Sequence, residues 1–254
     1  MFCSAGADDT RELLAVLIPL VPAVLYSLGL MEGRKGRYFF FAGLLCHLFF
    51  VAVRGITLET IPLTEKHDTI SFMAFSTGLL FAYLSIKHDL KGSSLIALPL
   101  ISTILVIAVF HKPIDTIAPL LRTPWFYIHS FLFFGSYGFF GVSFCAGLYF
   151  LATRDRDFES LQYRTALSGW VMYTVALIVG SVWFYIAYGT YWIWTPRELW
   201  TTLAWFYFGL YLHARMMKGF FGIPAAGIGV AGYAVLLFAY FGVGTVIPSP
   251  PTQF

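Results

Sequence analysis

Charged side chains are scarce in this 254-residue chain, where Asp, Glu, Lys and Arg together make up 11% of the sequence. A typical soluble domain carries about 25% charged residues, so this composition excludes an ordinary soluble fold. The 16 basic and 13 acidic residues leave a formal net charge of +3. So thin a charge does not indicate a nucleic-acid-binding surface.

Cysteine is also rare. Cys3, Cys46 and Cys145 form neither a CxxC nor a CxxCH motif. The chain is therefore predicted neither to carry covalently attached haem nor to act as a dithiol donor. The opening MFCSAGADDTREL has no basic segment ahead of the first apolar run, so we expect no cleaved signal peptide.

Apolar residues are abundant, at 59% of the chain, and aromatic residues reach 19%. A membrane crossing needs about 20 apolar residues. A chain of this length and composition can therefore supply seven to nine spanning helices, with no room for a folded aqueous domain. Apolar windows fall near residues 13–31, 38–56, 69–87, 93–110, 125–153, 166–188, 198–218 and 225–247. We therefore predict an all-α integral membrane protein with eight transmembrane helices, forming a single membrane domain over residues 1–254.

The basic residues are unevenly distributed between alternate gaps. Ten of the sixteen lie on one side, namely Arg34, Lys35, Arg37, Lys87, Lys91, Arg154, Arg156, Arg164, Arg215 and Lys218. The positive-inside rule assigns that side to the cytoplasm. The prediction is a multi-pass protein of the cell (inner or plasma) membrane, with both termini and the Trp-rich segment 188–200 outside the cytoplasm.

Four tryptophans lie within fourteen residues around the gap between the sixth and seventh windows: Trp192, Trp194, Trp200 and Trp205. A pair of interfacial tryptophans is usually a membrane-anchoring belt, but four exceed a belt. Thr195 can cap the next helix, Pro196 suits its first turn, and Glu198 complements its positive end. This turn is predicted to hold Trp192 and Trp194 as an apolar platform on which a porphyrin plane can stack.

The six histidines are the candidate metal ligands, and their predicted depths differ. His129 lies four residues after Trp125, roughly 7 Å below the external interface. His213 lies fifteen residues after Glu198, roughly 22 Å below it in an apolar core about 30 Å thick. They cannot clamp one iron, because axial nitrogens stand only about 4 Å apart across a metal. If both are ligands, there are two sites.

The other four histidines have weaker claims as ligands. His47 lies about 16 Å deep, close enough in depth to pair with His213, but a packed, hydrogen-bonded histidine is an equal alternative. His67 and His111 fall in predicted external gaps and His88 in a cytoplasmic one. Solvated loop histidines are expected at all three positions.

These motifs together resemble the cytochrome c assembly family of haem-handling membrane proteins, most closely its CcsA (ResC) type, a subunit of the system II cytochrome c synthase. The family's WGxxWxWDPKExW appears here as YGTYWIWTPRELW, residues 188–200. Four further segments agree in order: IPLTEKHDTISF, TPWFYIHSFLFFGSYGFF, YLHARMMKGFFG and AYFGVGTVIP. The similarity extends over most of the chain from about His47 onward.

The resemblance implies two sites for haem b. The histidine matching His129 is a ligand of an external haem beneath the Trp-rich segment, and the one matching His213 binds a second haem inside the membrane. The residues implied for haem binding are His129, His213, Trp192, Trp194, Trp200, Pro196 and Glu198. The two histidines are the implied iron ligands, and no catalytic residue is assigned.

The resemblance also implies a function and partners. In that family haem crosses outward and is joined to the CxxCH thiols of apocytochrome c. A CcsB (ResB) membrane subunit supplies the other ligand of the intramembrane haem. The chain is then expected to be part of a cytochrome c synthase (haem lyase), working with a CcsB/ResB-like subunit in the lipid bilayer.

Two departures from the family pattern keep an alternative open. The motif's aspartate is Thr195 here, and the family's last external histidine falls near Pro251, in a segment without histidine. Three alternatives follow for the external haem site. Its iron is five-coordinate, it takes His67 or His111 as the second ligand, or the site is absent. The alternative is a HemX/YpjD-like membrane haem sensor or assembly factor without synthase activity. An ion-coupled transporter is disfavoured, because no acid lies inside an apolar window.

Overall fold

The computed structural model describes residues 17–87, 90, 92–113, 117–217 and 219–242, and the secondary structure there is entirely helical. The α-helices are α1 (Leu20–Leu28), α2 (Gly33–Leu58), α3 (Lys66–Lys87), α4 (Ser94–Val109), α5 (Pro124–Thr153), α6 (Arg156–Tyr188), α7 (Pro196–Ala214) and α8 (Ile223–Leu237). A 3-10 turn, Pro119–Leu121, precedes α5, and a π-helical turn, Phe238–Gly242, continues α8. Each predicted apolar window thus overlaps one α-helix, which confirms the all-α class.

Five of these helices are long and apolar enough to cross a membrane: Gly33–Leu58, Lys66–Lys87, Pro124–Thr153, Arg156–Tyr188 and Ile223–Gly242. An α-helix satisfies its own backbone hydrogen bonds, which is what a lipid environment demands. The apolar α4 is shorter, at 16 residues, and α1 has nine described residues. The helix α7 has 19 residues but is not among the five helices with the mean hydropathy of a membrane span. The structure therefore supports five candidate membrane spans, and the total of eight remains a prediction.

The chain divides into two compact units, one up to Gly138 and one from Phe139 onward. In the first unit, α1 packs against α2 and α4, and the hydroxyls of Ser27 and Ser102 are hydrogen-bonded at 3.2 Å. The side chains of Ile70 and Met73 on α3 are fully buried. The single-domain interpretation stays a prediction.

In the second unit, Gln162 of α6 lies at the centre of the helix packing. Its side-chain amide donates a hydrogen bond to the carbonyl of Ala226 at 3.1 Å, and its backbone carbonyl accepts one from the Ser143 hydroxyl at 2.9 Å. A Cβ on Gly147 would lie 2.2 Å from this amide nitrogen, and one on Gly229 2.5 Å. Glycine at both positions therefore lets the buried amide fit between α5 and α8.

Candidate functional site

The Trp-rich segment is a short non-helical connection, residues 189–195, between α6 and α7 in the second unit. Helix α6 ends at Gly189, whose φ of 73° lies in the left-handed region and whose N–H donates to the carbonyl of Tyr185 at 2.8 Å. Glycine adopts this conformation without strain and is the preferred residue there. Pro196 occupies the first turn of α7, as predicted.

Thr195 takes the N-cap position of α7 with extended backbone, but its side chain does not cap the helix. The hydroxyl instead donates a hydrogen bond to the carboxylate of Glu198. The capping position is therefore confirmed, whereas the predicted side-chain bond to the helix N–H groups is wrong. A threonine here supplies a donor to Glu198, where an ionised aspartate would place a second negative charge beside it.

The aromatic rings of this segment do not form a flat surface. The ring centroids of Trp192 and Trp194 are 6.2 Å apart and the rings are inclined at 73°, an edge-to-face arrangement. Trp194 is 70% exposed, whereas the indole nitrogen of Trp192 is buried without a hydrogen-bond partner. Trp200 packs edge-on against Phe238 at 4.7 Å. A planar ligand can therefore lie face to face with only one of the two leading tryptophans.

Trp205 has a packing role that its place in the sequence cluster does not reveal. It stacks on Trp170 of α6 with centroids 5.3 Å apart. The Trp205 indole donates to the Thr174 hydroxyl at 2.8 Å, and the Trp170 indole donates to the Trp205 carbonyl at 3.1 Å. These bonds fix α7 against α6 beneath the Trp-rich segment.

The two histidines implied as iron ligands lie in different units. His129 lies in the second turn of α5, in the first unit, where it is half-buried with its ring 5.5 Å from that of Phe133. His213 is the penultimate residue of α7, in the second unit, and its side chain is exposed. Their assignment as ligands remains a prediction.

The chain around His213 is fixed by a buried carboxylate. Glu159 of α6 accepts hydrogen bonds from Arg215, from Arg156 at 2.6 Å and from the backbone N–H of Gly222 at 2.7 Å. Charge-assisted bonds of this kind are stronger than neutral ones. Glu159 thus joins the beginning of α6 to the end of α7, two residues from His213, and to the beginning of α8.

His47 is a packed residue whose ring is fully buried in the first unit. Its Nδ1 is hydrogen-bonded to the Tyr26 hydroxyl at 3.1 Å and its Nε2 to the Ser71 hydroxyl at 2.9 Å. With both ring nitrogens engaged, neither is available to a metal in this arrangement. The structure thus favours the packing alternative for His47.

His67 is not a solvated loop residue, so that expectation is wrong. It lies in the first turn of α3 with its side chain fully buried. Its Nδ1 is 3.1 Å from Asp68, which forms a buried ion pair with Arg54 of α2. His67 falls in a gap between apolar windows, yet Arg54 and Asp68 neutralise each other inside the unit and bury it.

The remaining histidines offer less. His111 follows α4 and is half-buried, and its Nδ1 is hydrogen-bonded to the Ile107 carbonyl at 3.1 Å. His88 lies outside the described residues. Within the described ranges, no three His, Cys, Asp or Glu side chains group into a metal site.

Two buried side-chain nitrogen atoms in the described part of the chain have no hydrogen-bond partner: His67 Nε2 and Trp192 Nε1. Buried polar atoms are nearly always hydrogen-bonded, so each such exception calls for a ligand or a solvent partner. An imidazole nitrogen suits iron, and an indole N–H suits a carboxylate such as a porphyrin propionate. Each atom is thus of a chemical type that haem can engage, and the two atoms lie in different units.

Comparison with known proteins identifies the family. A family model described as cytochrome C assembly protein matches residues 15–249. A protein named cytochrome c biogenesis protein CcsA from Prochlorococcus marinus (strain MIT 9515) is 23% identical over 92% of this chain and 89% of its own length. The protein of that name from Guillardia theta is 27% identical over 88% of this chain and 89% of its own length. With matches along nearly its whole length, the chain belongs to the cytochrome c assembly protein family.

Proposed function

We propose that this chain is a CcsA-like membrane subunit that binds haem b, delivers it outward and takes part in its attachment to apocytochrome c. The observation that carries the proposal is the Trp-rich turn, retained in a chain that matches the family over residues 15–249. The relatives' name, cytochrome c biogenesis protein CcsA, points to the same process.

The individual residues have distinct proposed roles. His213 holds haem within the membrane, and its exposed side chain leaves room for a second ligand from a CcsB/ResB-like subunit. His129 holds haem at the external site. Trp192 presents its indole N–H to a carboxylate of the bound haem, while Trp194 contributes an exposed apolar ring. Haem b supplies the iron and the macrocycle that is joined to CxxCH thiols.

The proposal includes a location and an orientation. The chain lies in the cell (inner or plasma) membrane with both termini and segment 188–200 outside the cytoplasm, which the distribution of basic residues supports. The external haem is then on the side where apocytochrome c receives it. The haem held by His213 is nearer the cytoplasmic side.

A second candidate function is a HemX/YpjD-like haem sensor or assembly factor without synthase activity. Thr195 favours it, because its hydroxyl engages Glu198 where the synthase motif has an aspartate. The absence of histidine from residues 243–254 favours it as well. Both candidates require haem binding, and only the first requires haem attachment.

Haem content of the purified chain tests the shared requirement. The full chain, expressed with and without a CcsB-like subunit, is purified in detergent and its haem measured per chain from the absorption spectrum. His213→Ala and His129→Ala should each lower haem content, and His213→Gly should be partly rescued by imidazole. His47→Ala serves as a control, since both of its ring nitrogens are already hydrogen-bonded.

The two candidates separate on haem attachment. A CxxCH-containing apocytochrome co-expressed with the chain and its partner should acquire thioether-bound haem if the chain is a synthase subunit. Haem binding without attachment would select the sensor or assembly factor. Unchanged haem content and spectra in both histidine variants would refute the proposed ligands.

A further inference from the structure

A cavity of about 390 Å³ lies where three helices of the second unit meet. Helix α5 ends at Thr153, α6 begins at Arg156 and α8 begins at Ile223. All three helices belong to the candidate membrane spans, so the cavity lies at one end of the membrane-spanning part of this unit. Sites for small ligands have volumes of about 300–1,000 Å³, a range that includes this cavity.

The lining of the cavity combines apolar walls with positive charge. Its apolar side chains are Phe150, Phe221, Ile223 and Pro224, and its charged side chains are Arg154 and Arg156. Phe221 is 54% exposed and Ile223 is 53% exposed. Exposed apolar side chains at the end of a membrane span indicate contact with lipid. The cavity is therefore expected to open at the level of the lipid headgroups.

Glu159 holds Arg156 beside the cavity. The Arg156 guanidinium donates from Nη1 to the Glu159 carboxylate at 2.6 Å, and its Cζ lies 5.8 Å from the centre of the Phe150 ring. The same carboxylate accepts a hydrogen bond from Arg215, so these three side chains together carry one net positive charge. A guanidinium has five N–H donors, and the Arg156 side chain is 73% exposed, which leaves donors for a ligand.

Arg154 has a backbone conformation that arginine rarely adopts. Its φ of 65° lies in the left-handed region, and its N–H donates to the Phe150 carbonyl at 2.8 Å where α5 ends. Glycine is the preferred residue at such a position, because a side chain there is strained. The Arg154 guanidinium makes no hydrogen bond or ion pair to another described residue. Strain of this kind, with no packing contact to explain it, points to a ligand.

The two acidic residues next to Arg156 in the sequence do not line the cavity. The carboxylate of Asp155 accepts a hydrogen bond from the Asp157 N–H at 3.0 Å and caps α6. Both residues are exposed. The charge at the cavity wall is therefore set by the guanidinium groups of Arg154 and Arg156.

We propose that this cavity binds the phosphate of an anionic phospholipid, with Arg154 and Arg156 as its binding residues. Guanidinium groups match phosphate oxygens in geometry as well as in charge. Basic pockets between membrane helices on the cytoplasmic side bind acidic headgroups, and the distribution of basic residues predicts that side here. Inorganic phosphate carries the same group, but only a lipid also gains from the apolar walls. The proposal goes beyond haem handling and does not require haem to be bound.

Short-chain lipids test the site on the full chain. The chain is purified and delipidated in a neutral detergent, then titrated with dioctanoyl phosphatidylglycerol, dioctanoyl phosphatidylcholine or inorganic phosphate. Native mass spectrometry counts the bound molecules. The anionic lipid should bind about tenfold more tightly than the zwitterionic one, because only its net charge matches the two arginines. Inorganic phosphate at the same concentration should not displace the anionic lipid.

Variants at Arg154 separate a binding role from a structural one. Arg154→Gly and Arg154→Asn suit the left-handed backbone, so each should keep or raise the melting temperature without lipid. Each should nevertheless weaken binding of the anionic lipid about tenfold. Arg154→Lys keeps the charge but loses the planar fork, so its affinity should lie between those of the wild type and Arg154→Gly.

Two matched controls lie away from the cavity. Arg164→Gln removes another exposed arginine of α6. Glu59→Gly removes the side chain of the residue that ends α2 in the first unit, where φ is 51°. Neither variant should change the affinity for the anionic lipid by more than about twofold, since neither residue lines the cavity.

Each contrary outcome overturns a stated part of the proposal. Equal affinity for the two lipids, or unchanged affinity in both Arg154→Gly and Arg154→Asn, would overturn the site. Displacement of the anionic lipid by inorganic phosphate would assign the cavity to a free anion and overturn its assignment to a lipid. A melting temperature of Arg154→Gly well below that of the wild type would show that Arg154 stabilises the fold, and would overturn its assignment as a residue kept for binding.

Discussion

Removing one partner of the Arg54–Asp68 ion pair should destabilise the protein strongly. The side chains are 6% and 2% exposed and meet through two hydrogen bonds at 3.0 and 3.1 Å. Arg54→Met leaves the Asp68 carboxylate buried with His67 as its remaining described partner, and losses of this kind are about 3–5 kcal/mol. At roughly 2–4 °C per kcal/mol for a chain of this size, the melting temperature should fall by roughly 6–20 °C.

A double-variant cycle isolates the pair itself. Asp68→Asn retains an acceptor for His67 Nδ1, and combined with Arg54→Met it leaves no net charge buried at this position. The double variant should therefore melt well above the temperature expected from adding the two single losses. Tryptophan fluorescence during heating in detergent measures all four proteins. Strictly additive losses would refute the reasoning that the charges stabilise each other inside the unit.

Three further perturbations test other parts of the structure. Gly229→Ala places a Cβ 2.5 Å from the Gln162 amide nitrogen, so the melting temperature should fall by an amount equivalent to about 1–3 kcal/mol, and an unchanged melting temperature would mean that the helices do not pack tightly there. Glu159→Ala removes the hydrogen-bond partner of Arg215 and should speed trypsin cleavage after Arg215. Unchanged digestion would mean that Glu159 does not order the segment after α7. A single cysteine at Thr190, in a chain without native cysteines, should react with an impermeant reagent in intact cells, and labelling only after permeabilisation would reverse the topology.

The helices could be predicted from the sequence because each apolar window must satisfy its own backbone bonds in lipid. Their ends were less predictable. The sixth window begins at residue 166, whereas α6 begins at Arg156, where the side chain of Asp155 accepts a hydrogen bond from the N–H of Asp157 at 3.0 Å. Hydropathy does not detect the charged and polar helical turns, nearly three of them, that precede the apolar part of α6.

The candidate site was predictable in part. The turn at Gly189 and Pro196 follows from local chemistry and could be read directly. The burial of His67 could not, because it depends on Arg54 meeting Asp68 across fourteen residues of sequence. A charged residue at the edge of an apolar window is expected to face water until tertiary packing supplies an opposite charge.

The length of α6 has a consequence for how a ligand reaches His213. Its 33 residues extend about 50 Å, against about 30 Å for the apolar layer of a bilayer. Glu159 therefore lies about 10 Å beyond the apolar window that begins at residue 166. Because Glu159 holds Arg215, the neighbouring His213 lies close to the level at which α6 leaves the lipid. On the proposed topology and with the proposed haem ligand, a flat molecule dissolved in the cytoplasmic leaflet meets this histidine after shallow immersion.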